Sequence, residues 1–480
     1  MIPLTMFNGL RLPLKRWLAL ALLGLCALPV RASALPPEVV QALARARVPP
    51  EAMAVVVQEV GGTPLRLGLN ATRPLNPASL IKLATTYAAL ETLGPAWAWR
   101  TPVWLHGRVN DGVLDGSLVI KGTGDPKLTV ERVWLLLRRV QQLGVREIHG
   151  DIVLDRSAFD VPEVNAGEFD GEPLRPYNVR ADALLLNFKA VTYQFTPDEA
   201  RGIAVVGSDP VLRGVQVDTH VPLANGGCDD WRAALKANFT EPTRVRFAGS
   251  YAAACGERSW PVAHGDAGRY NARLLEAMWR ELGGTLGGTV RDGTAPTDRA
   301  PTFEFTSPPL AEVVRDINKF SNNMMAQQLF LSLALVPPAT VTPDIAREHL
   351  RRWLAERLGE SMDGVVIDNG SGLSRETRVS AGLLARLLQA AWASPVMPEL
   401  MASLPVNGVD GTLRRSRAQL GRAHLKTGSL RDVVGVAGYV LGASGKRYVL
   451  VALINHANAN AARPAIDALV QWTLADTGRR

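Results

Sequence analysis

The chain has 480 residues, of which 47% are hydrophobic and 20% charged, a composition typical of a globular protein of two to four domains or subdomains. The formal charge is +8, but residues 1–34 contribute four basic and no acidic side chains, which leaves +4 for the remainder. A small positive net charge is compatible with binding to an anionic polymer. The sequence has no basic stripe with interleaved aromatics and no nucleic-acid-binding motif, so no nucleic-acid partner is expected.

The N-terminus has the pattern of a secretory signal peptide. Three basic residues precede the apolar segment Trp17–Val30, which is too short to span a bilayer comfortably. Ala32–Ala34 offers a small-residue cleavage site. We therefore predict a cleaved signal peptide over residues 1–34 and a periplasmic protein; an uncleaved membrane anchor is the alternative. Lipidation of Cys26 is not favoured, because the large Leu25 precedes it.

The mature chain begins with a predicted hairpin and a helix. Two apolar runs, 52–60 and 64–70, flank a Gly-Gly turn, and the following segment, 77–93, has apolar residues on one helical face. Residues 95–295 have a different pattern of predicted secondary structure. Short strands dominate there, one helix is predicted over 130–143, and 155–270 looks loop-rich. We expect a large, mostly β insertion of one or two small subdomains.

Helices return after this insertion and strands close the chain. Helices are predicted over 310–319, 322–334, 344–358, 380–392 and 462–475, and strands over 423–426, 434–440 and 448–455. This order indicates an α+β fold in which the N-terminal hairpin joins the C-terminal strands in one antiparallel sheet flanked by helices. The predicted domains are residues 35–94 with 296–480, interrupted by the insertion 95–295. Because the last helix runs to the basic C-terminus without a long amphipathic tail, at most loose membrane association is expected.

Two cysteines remain after the predicted cleavage. Cys228 and Cys255 are 27 residues apart in a chain expected to be exported, which favours a disulfide. Two buried thiols are the alternative. A zinc site is less favoured, because no paired Cys or His spacing accompanies them, and neither a metal nor another cofactor is expected.

The candidate nucleophile lies at the start of the 77–93 helix. Ser79 is followed three residues later by Lys82, so the amine can reach the hydroxyl on one helix face. A serine is a weak nucleophile until a base takes its proton. A lysine can be that base if burial and nearby cations lower its pKa. The motif alone is weak, because S-x-x-K arises often by chance and can simply begin a surface helix.

Two further motifs strengthen the assignment. Ser321 and Asn323 form an S-x-N at a predicted break between helices, and Lys426-Thr427-Gly428 forms a K-T-G on a predicted strand. Each could be structural by itself, as a helix cap or an exposed strand lysine. S-x-x-K, S-x-N and K-T-G in this order are the set known from penicillin-recognising enzymes.

With these motifs, the sequence resembles the D-alanyl-D-alanine carboxypeptidase/endopeptidase family, the low-molecular-mass class C penicillin-binding proteins. Segments 122–126, 369–374 and 404–413 and the long insertion between Ser79 and Ser321 resemble the same family. The resemblance covers essentially the whole mature chain. It implies a penicillin-binding, β-lactamase-like transpeptidase domain and a serine-type hydrolase that cuts D-alanyl bonds in peptidoglycan peptides and is acylated by β-lactam antibiotics.

The resemblance also implies a role for each motif residue. Ser79 would attack the carbonyl of the penultimate D-alanine, with Lys82 as general base. Ser321 would relay a proton to the leaving nitrogen, and Asn323 would orient Lys82 and the substrate. The substrate-binding residues would be Lys426, Thr427, Gly428 and Ser429, with the backbone N–H groups of Ser79 and Ser429 as the oxyanion hole.

Two other readings stay open at this point. A β-lactamase shares the three motifs, but no acidic residue in an E-x-x-x-N setting follows the S-x-x-K, and the insertion opposes it. A non-catalytic wall-binding scaffold is opposed by the intact motif residues. The sequence does not indicate whether carboxypeptidase or endopeptidase activity predominates, and it gives no oligomeric state.

Four arginines precede Lys426 in the sequence. They are interpreted as a solvated basic face, rather than as a group that attracts carboxylates to the site.

Overall fold

The structure, a computed structural model, describes residues 34–336, 339–416 and 420–478. The predicted signal peptide lies outside these residues apart from its last position. The α-helices of the described part are α1 Pro37–Arg45, α2 Lys82–Leu93, α3 Val130–Gln142, α4 Trp231–Ala234, α5 Ala267–Glu281, α6 Leu310–Phe320, α7 Asn323–Ser332, α8 Pro343–Leu358, α9 Ala381–Trp392, α10 Met397–Ser403 and α11 Arg463–Leu474.

A five-stranded antiparallel sheet joins the two ends of the chain. Its strands, in spatial order, are Leu65–Leu69, Met53–Glu59, Arg447–Asn455, Val433–Leu441 and Ala423–Leu430. Val56 pairs with Val451 across the junction between the N-terminal hairpin and the C-terminal strands. The predicted pairing of the hairpin with the end of the chain is confirmed, and so is the α+β class.

Helices cover both faces of this sheet. On one face, Val39 of α1 and Leu469 of α11 are fully buried in a cluster with Val55 and Leu450 of the sheet. On the other face, α2, α6, α7, α8 and α9 form one large core with the sheet. The near-continuous apolar strands follow from burial on both sides, which removes the alternation expected of a half-exposed strand. Helix α2 is buried on nearly every side, because it also lies inside this core and has packed elements around it.

The segment between α2 and α6 contains most of the remaining strands. A seven-stranded sheet is formed by Arg100–Asn110, Val113–Lys121, Glu147–Ile148, Ile152–Asp155, Thr285–Leu286, Val290–Asp292 and Phe303–Thr306. A five-stranded sheet is formed by Ala190–Asp198, Ile203–Asp209, His220–Ala224, Tyr251–Ala252 and Arg258–Ala263. Three short strands, Gln216–Val217, Ala237–Glu241 and Arg244–Phe247, make a third sheet. The strands Pro74–Leu75 and Val379–Ser380 form a separate two-stranded antiparallel sheet.

Two expectations for this segment were wrong. The interpretation of 155–270 as loop-rich missed the strands after 190, of which Ala190–Asp198 and Ile203–Asp209 are nine and seven residues long. The Gly, Pro and Asn residues scattered through this segment suggested loops, but many of them lie in the turns between strands. The helix α5 was also missed, although its buried residues Tyr270, Leu274 and Met278 recur at helical spacing.

The predicted disulfide is present in the structure. The Sγ atoms of Cys228 and Cys255 are 2.05 Å apart. Cys255 is buried in a hydrophobic core, and Cys228 packs against it; the aromatic rings of Phe195 and Trp231 contact each other in the same region. The bond therefore connects the loop at Cys228 to the 3₁₀ turn Ala253–Cys255 at the edge of this core.

Candidate active site

The turn that presents Ser79 is built by its neighbours. Ala78 has a left-handed backbone, with φ of 46°, and its N–H donates to Asn76 Oδ1 at 2.8 Å. Asn76 in turn donates from Nδ2 to the carbonyl oxygen of Ser374 at 2.9 Å. Ser79 then lies in the 3₁₀ turn Ala78–Ile81, which leads into α2 at Lys82. Side chains at i and i+3 eclipse in a 3₁₀ turn, so the hydroxyl and the amine face each other.

Lys82 is fully buried, and its amine has three oxygen partners. Nζ lies 3.0 Å from Ser79 Oγ and 2.6 Å from Asn323 Oδ1, and it also contacts the carbonyl oxygen of Ser371. Burial, followed by the positive charge of Lys426, holds the pKa of Lys82 well below its ordinary value. A neutral amine has two N–H bonds and one lone pair. The two carbonyl oxygens can accept both N–H bonds, which leaves the lone pair for the Ser79 hydroxyl.

The S-x-N segment forms the turn between α6 and α7. Ser321 adopts a left-handed conformation with φ of 55° and ends α6. Asn322 caps α7, because its Oδ1 accepts from the N–H of Met325 at 3.0 Å. This cap places Asn323 at the first helical position, beside Lys82. Asparagine is among the residues preferred at a helix N-cap, so Asn322 suits this position.

The strand Ala423–Leu430, here called the Lys426 strand, closes the other side of the site. Lys426 is fully buried, and its Nζ donates to Ser321 Oγ at 2.9 Å and to the carbonyl oxygen of Thr427 at 2.7 Å. Burial lowers the pKa of Lys426 to about 7. The hydroxyl of Thr427 lies 2.7 Å from that of Thr412. The hydroxyl of the exposed Ser429 accepts from Arg463 Nη2 at 2.6 Å.

Two glycines allow these segments to meet at the Ser79 turn. A Cβ on Gly428 would lie 2.7 Å from the carbonyl oxygen of Pro77, and one on Gly372 would lie 1.9 Å from that of Ala78. Gly372 also has a φ of +80°, which disfavours any L side chain. The backbones of the Lys426 strand and of the 369–374 segment therefore lie in direct contact with the backbone of the turn that presents Ser79.

A cleft of about 610 Å³ opens beside these groups. The segment between α2 and α6 contributes Glu168, Phe169 and Tyr177 to its wall, and the opposite side includes Asn323 and Ser429. The predicted insertion therefore borders the cleft, and its residues can contact a bound peptide.

The structure brings all the predicted motif residues together and adds others that the sequence did not single out. Asn76 shapes the nucleophile turn, the backbone carbonyl of Ser371 binds Lys82, and Thr412 and Arg463 contact the Lys426 strand. Ser371, Thr412 and Arg463 are at least 15 positions away from the residues that they contact, and a backbone carbonyl has no residue signature. Asn76 is close to Ser79 in the chain, but its role is evident only from its hydrogen bonds. Within residues 34–336, 339–416 and 420–478, no three His, Cys, Asp or Glu side chains gather into a potential metal site.

A serine hydroxyl with a buried lysine, an S-x-N turn and a K-T-G strand edge, on an antiparallel sheet flanked by helices, define a penicillin-recognising serine peptidase. The chain belongs to the D-Ala-D-Ala carboxypeptidase 3 (S13) family, whose model matches residues 37–475. It is therefore a peptidase hydrolase of the serine-type D-Ala-D-Ala carboxypeptidase class.

Individual relatives agree with this assignment. The chain is 28% identical over 424 residues to a D-alanyl-D-alanine carboxypeptidase of an Actinomadura strain, covering 84% of this chain and 77% of the relative. Penicillin-binding protein 4 of Haemophilus influenzae has a similar structure, with a TM-score of 0.72 at 22% identity, covering 90% of this chain and 99% of that one. The same protein complexed with a β-lactam gives a TM-score of 0.69, also at 22% identity, covering 91% and 99% of the two chains. The predicted transpeptidase-like fold is confirmed.

Proposed function

We propose that the enzyme cleaves D-alanyl peptide bonds in the stem peptides of peptidoglycan through an acyl-enzyme on Ser79. The observation that carries this proposal is the 3.0 Å contact between Ser79 Oγ and Lys82 Nζ, made by an amine whose pKa is lowered. Lowering the pKa of the amine favours its neutral form, which can accept the serine proton, whereas an ordinary surface lysine stays protonated.

The proposed acylation step follows from the contacts of each group. The Ser79 proton passes to Lys82 as Oγ attacks the penultimate D-alanyl carbonyl. The backbone N–H groups of Ser79 and Ser429 stabilise the oxyanion, a contribution that is commonly worth about 10²–10³ in rate per donor. As the C–N bond breaks, the Ser321 hydroxyl gives its proton to the leaving amine and takes up the proton that Lys82 received from Ser79, so both Ser321 and Lys82 return to their neutral forms. Lys426, which donates to Ser321 Oγ at 2.9 Å, assists this relay. Water then hydrolyses the ester.

Recognition of the leaving residue is assigned to the Lys426 strand. Lys426 and Thr427, with the backbone of Gly428, would bind the carboxylate that follows the scissile bond, and Ser429 would border it. The hydroxyl pair of Thr427 and Thr412 supplies a donor beyond those foreseen from the motifs. A β-lactam offers a carboxylate and a reactive carbonyl to the same groups, so we expect penicillin to acylate Ser79. The β-lactam complex of the Haemophilus influenzae protein supports this expectation.

We also propose that the chain is built from a discontinuous catalytic domain, 35–94 with 296–480, and the insertion 95–295. The hydrophobic residues support this division. One hydrophobic core joins α2, α6 and α9 to the five-stranded antiparallel sheet formed by the two ends of the chain. Another joins α3 and α5 to strands of the segment between α2 and α6.

A periplasmic location is proposed from the signal-peptide pattern of residues 1–34 and from the cell-wall relatives. In the part of the chain that the structure describes, no helix is both long and apolar enough to cross a bilayer. We propose at most a loose association with the membrane. Recovery of the mature enzyme only in membranes washed with high salt would contradict this.

The first test is the intact mass of the mature enzyme after incubation with benzylpenicillin, beside a Ser79→Ala variant. A stable adduct on the wild type alone supports Ser79 as nucleophile. Ser380→Ala is a matched control, because it removes a helix-capping hydroxyl outside the site and should leave acylation intact. Rapid loss of penicillin without an adduct would indicate a β-lactamase. Neither adduct nor penicillin loss would favour a non-catalytic scaffold.

A further inference from the structure

A second cavity adjoins the site beyond Thr427. It has a volume of about 310 Å³ and is lined by Phe320, Gly411, Thr412, Arg414 and Arg415. It therefore begins at Thr412, whose hydroxyl lies 2.7 Å from that of Thr427 on the Lys426 strand. Phe320 directly precedes Ser321 in the chain, so the cavity also adjoins the residue proposed to protonate the leaving amine.

The position of this cavity relates it to the leaving half of the substrate. In the proposed function, Thr427 contacts the carboxylate that follows the scissile bond, and Ser321 contacts the nitrogen. A cavity bounded by Thr412 and Phe320 extends from both of these points. A single D-alanine would end at Thr427 and leave the cavity unfilled, whereas a second peptide bonded through its amine would continue into it.

The lining has the chemistry of a site for an acidic peptide. Arg414 and Arg415 are exposed, and among residues 34–336, 339–416 and 420–478 no carboxylate pairs with either guanidinium. The nearest carboxylate along the chain, on Asp410, accepts from Lys319 Nζ at 2.6 Å. Arginine binds carboxylates well because its planar fork donates two parallel hydrogen bonds.

An exposed aromatic ring completes the lining. Phe320 is 63% exposed at the end of α6, where it stands against water rather than in the core. One exposed apolar side chain is ordinary by itself, so the ring contributes to the argument through its place in a cavity that two arginines also line. The ring offers a surface for the aliphatic part of a peptide side chain, between the two arginines and Ser321.

The floor of the cavity is fixed to the catalytic elements. The Lys319–Asp410 ion pair connects the end of α6 to the turn Gly411–Leu413, and Lys319 is buried. A Cβ on Gly411 would lie 2.5 Å from the carbonyl oxygen of Lys319, so the two backbones are in direct contact. The arginines are therefore presented on a turn that is held in place rather than on a free surface.

We propose that Phe320, Arg414 and Arg415 form a subsite for the leaving half of a cross-linked peptide, and that this subsite favours endopeptidase cleavage when the leaving peptide carries additional carboxylates. The proposal rests on the function proposed above and adds a substrate preference to it. It also replaces the earlier interpretation of Arg414 and Arg415 as a merely solvated basic face.

The test compares two substrates by kcat/KM. One is a small acetylated peptide ending in D-Ala-D-Ala, and the other is a peptide dimer in which the D-alanyl carbonyl is bonded to the amine of a second, acidic peptide. For the double variant Arg414→Gln/Arg415→Gln, the ratio of dimer to small-peptide kcat/KM should fall more than twofold and up to about 30-fold relative to wild type, because each exposed arginine contributes the modest attraction of a solvent-exposed charge pair. Arg414→Glu/Arg415→Glu should lower the ratio further, and Phe320→Ala should lower it as well.

The matched control is Arg351→Gln/Arg352→Gln, which removes an adjacent exposed arginine pair from α8 and should leave the ratio unchanged. Benzylpenicillin acylation reports whether each variant is folded. A ratio that stays within twofold of wild type in the Arg414/Arg415 variants would overturn the subsite while leaving the proposed function intact. Equal losses on both substrates would also overturn it. Failure of the wild type to cleave either substrate or to form an adduct would instead reject the proposed function.

Discussion

Lys82 Nζ lies 2.6 Å from Asn323 Oδ1, although the two residues are 241 positions apart in the chain. The amide oxygen accepts one N–H of the buried amine without carrying a charge. It therefore orients Lys82 and does not oppose the low pKa that burial and Lys426 impose. A neutral partner at this position is what a lysine general base requires.

Exchange of that neutral partner for a charged one should change the pH dependence of acylation. In Asn323→Asp, a carboxylate beside Lys82 would raise the pKa of the amine and keep it protonated at neutral pH. We expect penicillin acylation at pH 7 to fall about 10- to 100-fold, with partial recovery at alkaline pH. Asn323→Ala, which removes the contact without adding charge, should lose activity without this recovery. Stopped-flow acylation rates between pH 6 and pH 10 provide the test, and parallel profiles for the two variants would contradict it.

Lys426 should produce a fall in activity on the alkaline side of neutrality. Its pKa of about 7 means that the amine is charged below pH 7 and loses its proton as the pH rises through that value. The charged form binds the substrate carboxylate, so kcat/KM should decrease above pH 7, by up to about tenfold per pH unit. The acidic limb has the opposite sign, because protonation of Lys82 removes the base.

A peptide amide separates these two effects. A substrate with a C-terminal carboxamide lacks the charge that Lys426 binds, so its kcat/KM should be low but free of the alkaline fall. The acidic limb should remain, because Lys82 is needed for either substrate. An identical alkaline limb for the carboxylate and the carboxamide substrate would show that Lys426 does not act through the carboxylate.

Gly372→Ala should disrupt the Ser79 turn. A Cβ there would meet the carbonyl oxygen of Ala78 at 1.9 Å, so a backbone segment next to the nucleophile must move. We expect a loss of roughly 2–4 kcal/mol in the free energy of unfolding and at least about tenfold slower acylation. Denaturant titration and penicillin acylation measure the two effects.

Gly359→Ala is the control for backbone strain alone. Gly359 ends α8 with a φ of +64°, but nothing lies within 4 Å of the added Cβ. This variant should lose about 1 kcal/mol and acylate at the wild-type rate. Equal effects of the two substitutions would mean that contact with Ala78 is not what requires glycine at 372.

Loss of the disulfide should affect stability and not chemistry. In the chain-entropy account, the disulfide between Cys228 and Cys255, which are 27 residues apart, contributes about 3.5 kcal/mol to stability. The double variant Cys228→Ala/Cys255→Ala should therefore unfold at a lower temperature, while acylation at 25 °C stays within about twofold of wild type. Calorimetry and the penicillin assay test this pair of outcomes. Slower acylation by the folded variant would show that the disulfide region acts on the site.

The sequence by itself determined the local parts of the protein. Hydrophobic periodicity predicted most elements of the α+β portion, because a helix or strand that faces a core must repeat its apolar residues. Ser79 and Lys82 are three residues apart, so their proximity follows from helical geometry. The order of the three motifs, with chemistry that each residue type can perform, indicated the family.

Tertiary structure decided what depends on segments that are distant in the chain. The carbonyl of Ser371 and the amide of Asn323 reach Lys82 only because α2, α7 and the 369–374 segment pack together. The low pKa of Lys426 comes from burial, which no local pattern encodes. Likewise, the placement of Arg414 and Arg415 next to Phe320 requires the turn at Gly411 to contact the end of α6. These relationships arise from packing between elements, whereas the sequence pattern reports mainly the face that each element buries.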